Sequence, residues 1–199
     1  MKNIKLILIR NLPFNFVRVF LYKFFFNYQI GKNVKIGRKT TICCENVKIG
    51  NNVVIGYHNS ISCKNLEIGD FTSILRGNTI IGGGDFKIGT YSRIIYDHYF
   101  DVWNSITIGN KTWIAGKNSQ FWTHGSIHTK KNDRDLGIYF ADNIYVGSNC
   151  SFAPGVKIES TNLIGLGSVI NKSFLENNTI IAGNPAQIVK ENIDWRVNW

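Results

Sequence analysis

The sequence is short of the residues that build helical bundles and of those that build disulfide or zinc frameworks. Its 199 residues include one Met and three Pro against 19 Gly, with little Ala or Glu, which disfavours a helical bundle. The four Cys, at positions 43, 44, 63 and 150, contain no Cys-x-x-Cys pair, so we expect neither framework and a reducing, cytoplasmic compartment. No uncharged apolar run reaches the length of about 18 residues that spans a bilayer.

Acidic side chains are absent from residues 1–44. That segment carries nine Lys or Arg and no Asp or Glu, whereas the other 155 residues carry 14 basic and 13 acidic side chains. The net charge of +10 therefore belongs to the N-terminus, and we expect no nucleic-acid partner, which would need a basic stripe with stacking aromatics on the folded body. The segment begins like a secretion signal, but Arg10 interrupts its apolar run and no small-x-small cleavage site follows.

A repeat organises the rest of the chain. Ile-Gly recurs at 30–31, 49–50, 68–69, 88–89 and 108–109, at intervals of 19, 19, 20 and 20 residues. An apolar residue also recurs every sixth position, most clearly at Val146, Phe152, Ile158, Ile164 and Ile170. Helices repeat every 3.6 residues and strands every second residue, whereas a coil of three short strands with one inward side chain each repeats every six. We therefore predict an all-β fold, a parallel β-helix over residues 30–186, with one or two extra residues at one corner of each coil.

Two segments break the period. Residues 1–29 are aromatic and basic, with Asn11 and Pro13 placed as helix cap and first turn. We expect a helix whose apolar face is formed by Phe14, Val17, Leu21, Phe24 and Tyr28. This helix either caps the open end of the β-helix or lies on an anionic membrane surface, and the two roles are compatible. Residues 187–199 form a C-terminal tail.

The second break is residues 123–139, a polar and charged excursion from the regular coils. Segments of this kind, held by a rigid scaffold, are typical of functional loops.

Three motifs resemble the hexapeptide-repeat acyltransferases, most closely the sugar O-acetyltransferases of the maltose and galactoside type and of the O-antigen and capsular-polysaccharide type. They are residues 121–125 (Phe-Trp-Thr-His-Gly), 142–147 (Asp-Asn-Ile-Tyr-Val-Gly, with Tyr where the family has Trp) and 182–190 (Ala-Gly-Asn-Pro-Ala-Gln-Ile-Val-Lys). The resemblance implies a single-stranded left-handed β-helix, a homotrimer with active sites between subunits, and acetyl-CoA as co-substrate.

In that family a histidine at the root of the excursion is the general base, and His124 stands there. An alcohol is a poor nucleophile near pH 7, and imidazole titrates in the range that suits removal of its proton. His128 is the rival base or a substrate contact. The four histidines (58, 98, 124, 128) do not have the spacing of the three-ligand zinc site found in γ-class carbonic anhydrases, so we expect no metal.

The resemblance also assigns binding residues. For coenzyme A they are Tyr145, Ser148, Ala153, Gly167, Asn184 and Lys190. For the sugar they are Trp122, His128 and an acidic residue, either Asp97 or Asp101. Cys150 falls on a slot that usually holds a small inward side chain, so we do not expect it to be a nucleophile.

The expected function is transfer of an acetyl group from acetyl-CoA to a sugar hydroxyl in bacterial surface-polysaccharide biosynthesis. The expected location is the cytoplasm, in association with the inner face of the cytoplasmic membrane. Two alternatives stay open. One is N-acetylation of a nucleotide-linked amino sugar, and the other is a non-catalytic β-helix scaffold.

Overall fold

Each coil of the chain contains three short strands, and equivalent strands of successive coils pair in parallel. The computed structural model describes residues 2–125 and 135–197. The coils form a single-stranded left-handed parallel β-helix of about seven turns, which confirms the predicted fold. Two helices precede it, α1 (Lys2–Asn11) and α2 (Asn15–Phe26).

The β-helix has three faces, called here sheets A, B and C. Sheet A consists of β1 (Gln29–Ile30), β4 (Asn46–Ile49), β7 (Asn65–Ile68), β10 (Phe86–Ile88), β13 (Ile106–Ile108), β16 (Ile138–Phe140) and β19 (Lys157–Ile158). Sheet B consists of β2 (Lys35–Ile36), β5 (Val54–Ile55), β8 (Ser73–Ile74), β11 (Arg93–Tyr96), β14 (Trp113–Lys117), β17 (Tyr145–Val146), β20 (Leu163–Ile164), β22 (Ile180–Gly183) and β23 (Ala186–Lys190). Sheet C consists of β3 (Thr41–Ile42), β6 (Ser60–Ser62), β9 (Thr79–Ile81), β12 (Tyr99–Asp101), β15 (Gln120–Trp122), β18 (Ser151–Phe152) and β21 (Val169–Ile170).

The core is a set of ladders of identical or similar side chains. Ile49 pairs with Ile68 in the next coil, and Ile68 pairs with Ile88. The inward residues spaced by six are all buried, as predicted. In sheet C the ladder becomes aromatic, where the Phe121 ring stacks 4.4 Å from Phe100 and 4.7 Å from Phe152. Branched and aromatic side chains therefore fill a three-sided interior without interruption.

In the coils before the excursion, the extra residues lie mainly at one corner, the one that leads from sheet C to sheet A. Successive inward residues there are six apart around the other two corners, with one exception, the interval of seven from Ile114 to Phe121. At the corner from sheet C to sheet A the interval is seven from Ile42 to Ile49 and eight from Ile80 to Ile88. The polar excursion leaves the prism at the same corner, between Phe121 and Phe140. The excursion is thus an enlargement of the corner that was already irregular.

A column of hydrogen bonds runs along the corner between sheets B and C. In each coil a backbone N–H donates to the side chain of the equivalent residue in the preceding coil, at distances between 2.9 and 3.2 Å. The residues of the column are Thr40, Asn59, Asn78, His98, Ser119 and Cys150. Cys150 occupies the small inward slot predicted for it, and burial raises the pKa of its thiol.

The N-terminal helices cover the open end of the prism, as expected, but through a different face of α2. Arg18 and Tyr22 are its buried residues, whereas Phe14 and Phe24 of the predicted apolar face are exposed. Two other members of that face are covered, since Leu21 packs against the core and Tyr28, beyond the end of α2, is buried. The predicted single helix from Pro13 is two helices, and Asn11 ends the first. The edge strands of the first coil offer unpaired backbone groups, so the face that docks there is polar. Within the described residues neither helix has the length and hydrophobicity that crossing a bilayer requires.

The last coil ends in a hairpin. Strand β23 turns back and pairs antiparallel with β22, so it closes the sheet B edge at this end. The chain beyond it folds back onto sheet B, where the indole of Trp195 donates a hydrogen bond of 2.7 Å to the carbonyl oxygen of Asn143.

Candidate active site

His124 leaves the prism two residues after strand β15. Its side chain is exposed, because burial alternates along this segment: Phe121 and Thr123 are buried, and the residue after each of them is exposed. The stacked Phe121 ring fixes β15 in the core, and the strand alternation then turns Trp122 outward. The imidazole therefore stands on the outer surface at the end of sheet C, where a solute can reach it.

Thr123 anchors the chain immediately before His124. Its hydroxyl donates to the carbonyl oxygen of Asp101 at 2.7 Å and accepts from the backbone N–H of Asn104 at 2.8 Å. The Asn104 side-chain amide donates to the carbonyl oxygen of Thr123 at 2.7 Å. Thr123 is fully buried, so these bonds are shielded from water. The excursion thus begins from a rigid point, and the position of His124 is set by the coil beneath it.

One aromatic ring contacts the imidazole, and further rings lie on the outer surface of sheet C. The Trp103 ring lies 5.4 Å from the His124 ring, at an interplanar angle of 45°. The Trp122 ring lies 5.1 Å from Tyr99, and its indole donates a hydrogen bond to the Gln120 side chain at 3.1 Å. Trp103 and Trp122 remain 61% and 39% exposed, which leaves ring area available for stacking on a sugar face.

The structure separates the two acidic candidates. Asp101 ends strand β12 and pairs in register with Trp122, at the same end of sheet C as His124. Its carboxylate is nearly buried and accepts the backbone N–H of Trp103 at 3.0 Å. Asp97 is exposed at the opposite corner, before the strand begins. Asp101 is therefore the acidic residue that belongs to the His124 surface, and it also holds the turn that carries Trp103.

Three of the coenzyme A candidates lie along one edge of the prism, the corner between sheets B and C near the C-terminal end. Gly167 donates its backbone N–H to the carbonyl oxygen of Ser148 at 2.9 Å. Asn184 is exposed directly after β22, at the end of the next strand of sheet B. Gly167 has φ +70, and no atom lies within 4 Å of the place a Cβ would take. The edge is open at that point.

The other three candidates lie apart from this edge. Tyr145 and Lys190 stand on one row across the start of sheet B, with Leu163 and Ile180 between them. The Tyr145 ring contacts Trp195 at 5.4 Å, so the C-terminal segment partly covers it. Ala153 follows Phe152, the partner of Phe121, and so stands in the coil next to Trp122.

The remaining histidines do not join the site. His58 lies at a corner near the N-terminal end, and His128 falls outside the described residues. His98 is buried in the polar column, where its Nδ1 accepts the backbone N–H of Ser119 at 3.1 Å. Burial lowers the pKa of His98 to about 4, so its ring is neutral near pH 7. Across the described residues, no three His, Cys, Asp or Glu side chains come together in a way that would hold a metal ion.

Sequence reasoning did not assign roles to Trp103, Asn104 or Thr123. A signal for Trp103 was available, because it precedes His124 by 21 residues, close to one coil of the repeat. Residues one coil apart stack on neighbouring strands about 4.8 Å apart. The hydrogen bonds of Thr123 and Asn104 carried no comparable signal, since both residue types are common at every corner.

No protein-family model matches the chain, but individual proteins do. It is 29% identical over 119 residues to the galactoside O-acetyltransferase of Escherichia coli K12, covering 58% of this chain and 55% of that one. It is also 29% identical over 109 residues to the putative lipopolysaccharide biosynthesis O-acetyl transferase WbbJ of the same organism, covering 48% of this chain and 55% of that one. The chain thus spans little more than half the length of these relatives.

The fold has a solved counterpart in the UDP-N-acetylglucosamine acyltransferase from Campylobacter jejuni. The TM-score is 0.56 at 18% identity, with 83% of this chain and 71% of that one covered. At this identity the likeness concerns the fold alone. Together these comparisons confirm the resemblance carried by the three motifs, and the chain is similar in sequence to sugar O-acetyltransferases and in fold to a β-helical acyltransferase.

Proposed function

We propose that the protein is an acetyl-CoA-dependent O-acetyltransferase that acts on a sugar hydroxyl of a bacterial surface polysaccharide. The observation that carries the proposal is His124, an exposed imidazole held at a rigid exit from the prism with the exposed indole of Trp103 beside it. The sequence similarity to the galactoside enzyme and to WbbJ supports the reaction and the class of acceptor.

The imidazole of His124 is the group that moves the proton. One ring nitrogen accepts the proton of the sugar hydroxyl while the hydroxyl oxygen forms a bond to the acetyl carbon. The carbon–sulfur bond of the thioester breaks, and the imidazolium returns the proton to the departing sulfur. The co-substrate supplies the acetyl group already activated as a thioester. The reaction needs no acyl-enzyme, which agrees with the buried, high-pKa thiol of Cys150.

The acceptor sugar rests on the aromatic surface beside His124. Trp122 and Trp103 offer exposed rings for stacking on a pyranose. The carboxylate of Asp101 keeps the Trp103 turn in place through its bond to the backbone N–H, and its second oxygen is the candidate acceptor for a sugar hydroxyl. His128 stays a proposed substrate contact.

The coenzyme would use the edge formed by Ser148, Gly167 and Asn184. The bare Gly167 corner allows an extended chain to approach the backbone closely, which a side chain there would prevent. Lys190 is exposed and supplies a positive charge for a phosphate, while Ala153 leaves space beside Trp122. Tyr145 would contribute only if the Trp195 contact opens.

A homotrimer with active sites between subunits fits this distribution. Within one chain, His124 stands at the end of the sheet C strands and the Gly167 edge stands before their start. A site between two protomers would join His124 of one to the Gly167 edge of the next. We expect His124→Ala and Gly167→Trp to be inactive separately and to regain roughly a quarter of the wild-type activity when co-expressed, from random mixing of chains. No recovery in mixed trimers would place both halves of the site in one chain.

The proposed setting is the cytoplasm, at the inner face of the membrane where lipid-linked glycans are assembled.

The test is acetyl transfer from acetyl-CoA to a panel of glycans, with His124→Ala as the variant and His58→Asn as its matched control. His58 is an exposed corner histidine with φ 60, a backbone conformation that Asn tolerates. We expect His124→Ala to lower turnover on the order of 10²- to 10⁴-fold and the control to leave it unchanged.

The same panel separates the alternatives. Transfer to amino sugars but not to hydroxyl acceptors would replace the proposal with N-acetylation. An absence of coenzyme A binding in calorimetry would leave the non-catalytic β-helix scaffold as the remaining alternative. Undiminished turnover in His124→Ala would remove this histidine from the mechanism.

A further inference from the structure

Helix α2 differs from an ordinary surface helix, because the side that it packs against the β-helix carries a row of polar side chains. Asn15 accepts the backbone N–H of Ile36 at 2.8 Å and donates to the carbonyl oxygen of Val34 at 2.9 Å. Arg18 donates to the Ile36 carbonyl oxygen from Nε at 2.9 Å. Tyr22 accepts the backbone N–H of Ile42 at 3.2 Å. These side chains follow one another at i, i+3 and i+7, and they satisfy the open edge of the first coil.

A row of Phe side chains of α2 consequently faces away from the prism, whereas Val19, Leu21 and Phe26 pack partly buried against the core. Phe16, Phe20 and Phe24 follow one another at i, i+4 and i+8 and are 72%, 60% and 69% exposed. At 100° per residue this row lies on the opposite side of the helix from the buried polar row. Helix α1 adds exposed apolar side chains at Ile4, Ile7 and Leu8. The two helices contact each other, and their exposed apolar side chains are together called here the cap patch.

Basic side chains accompany the cap patch, and no acidic side chain balances them within residues 1–44. Lys23 is exposed on α2, and the Lys5 ammonium lies 4.5 Å from the centre of the Phe25 ring. Arg18 is excluded from this set because its guanidinium is committed to backbone carbonyls. Glu45 lines the same surface recess as Lys5 and Phe25, but the basic side chains of residues 1–44 outnumber it. A patch of large apolar side chains with a net positive charge matches the interface of an anionic bilayer, where an apolar interior lies beneath a negatively charged surface.

We propose that the cap patch docks the protein on the surface of a membrane that contains anionic lipid, with α1 and α2 lying in the interface. A second copy of the chain is a poorer occupant, because it would bring an equally basic segment against the first. Insertion across the bilayer is excluded by length, since the 12 residues of α2 cover about 18 Å against a hydrocarbon core of about 30 Å. Such docking would hold the protein at its proposed location, the inner membrane face, through a direct contact with anionic lipid. It depends on the helix geometry and not on the acetyl-transfer chemistry.

Vesicle co-sedimentation of the full chain tests the proposal. The probes are vesicles of phosphatidylcholine alone and vesicles containing about 30% phosphatidylglycerol, an anionic content that gives a negative surface potential. We expect strong binding to the anionic vesicles, weak binding to the neutral ones, and a loss of binding in high salt. Phe16→Ser/Phe20→Ser/Phe24→Ser should weaken the partition coefficient by roughly 100-fold, and Lys5→Gln/Lys23→Gln by roughly 10-fold.

The matched control is Phe71→Ser/Tyr91→Ser/Leu175→Ser, which removes three exposed apolar side chains outside the cap patch. It should bind like the wild type. Equal binding to neutral and anionic vesicles, or unchanged binding of the triple Phe variant, would overturn the proposal. Concentration-dependent self-association that the triple Phe variant abolishes, without vesicle binding, would assign the cap patch to a second copy. Calorimetry with coenzyme A on the same variants distinguishes failure of docking from failure of the proposed chemistry.

Discussion

The β-helix and its N-terminal cap bury their side chains by different rules. In the coils, an inward position is inward in every turn, and the residue there is Ile, Val, Leu or Phe almost throughout. In α2 the buried positions are Arg18 and Tyr22, while Phe16, Phe20 and Phe24 remain in solvent. Burial in the coils is a local property of the repeat. Burial in the cap is decided by the surface against which the helix packs. That surface is a row of unpaired backbone carbonyl and amide groups at the edge of the first coil.

This difference explains how far the sequence could be interpreted. The six-residue interval fixed the inward ladders, and the extra residues of each coil indicated a single loose corner without locating it. Nothing in residues 1–29 showed that the first coil would present polar backbone to the helix, so the prediction of an apolar buried face was right for Leu21 and Tyr28 but wrong for Phe14 and Phe24. His124 could be found because a motif marked it. Trp103 meets it only through the stacking of coils, and the same stacking pairs Thr123 with Asp101 and Asn104. The residue pattern does not say which corner residues touch.

The largest expected effect is in the coils, from Phe121→Ala. The side chain is fully buried between Phe100 and Phe152, and its removal leaves a cavity that the ladder cannot close. We expect a loss of about 3–5 kcal/mol in the free energy of unfolding, measured by chemical denaturation. Gln120→Ala, at an exposed position of the same strand, is the control and should change it by less than about 0.5 kcal/mol. A cost below about 1 kcal/mol for Phe121→Ala would mean that the ladder tolerates gaps, contrary to the comparison.

Acid should weaken the coils through His98. Burial lowers its pKa to about 4, whereas an unfolded chain has the ordinary value of about 6.5. Between these values the unfolded state binds the extra proton, so stability falls as the pH drops from about 6.5 to about 4 and then levels off. The contribution is about 3 kcal/mol.

The matched variant is His98→Asn, because Asn59 and Asn78 fill the same slot in the two preceding coils. Thermal unfolding of the two proteins at several pH values measures the difference. The wild type should lose more stability than the variant across this window, and parallel curves would show that His98 is not held neutral by the column.

Arg18→Met tests the cap. The substitution keeps the apolar stem but removes the donors that satisfy the Ile36 carbonyl oxygen, leaving a buried acceptor unpaired. We expect a cost of about 2 kcal/mol, measured by chemical denaturation, with faster amide exchange in the helices than in the coils. Lys23→Met, at an exposed position of the same helix, should be close to neutral. An equal effect of the two substitutions would mean that the polar face does not hold the cap in place.

The smallest expected effect on stability is that of Phe20→Ser, and it separates the two ways in which an apolar side chain can be used. In water the Phe20 ring is 60% exposed and its near neighbour is another exposed ring, Phe24, at 5.8 Å. Its removal should therefore change the free energy of unfolding by no more than about 0.5 kcal/mol in chemical denaturation. Tyr22→Ser, two residues away on the buried face, should cost several times more, because it also removes the bond to the Ile42 backbone. If Phe20→Ser instead destabilises the protein as much as Tyr22→Ser does, the ring is covered in solution. The cap would then bury its apolar row against another chain, by the same rule as the coils.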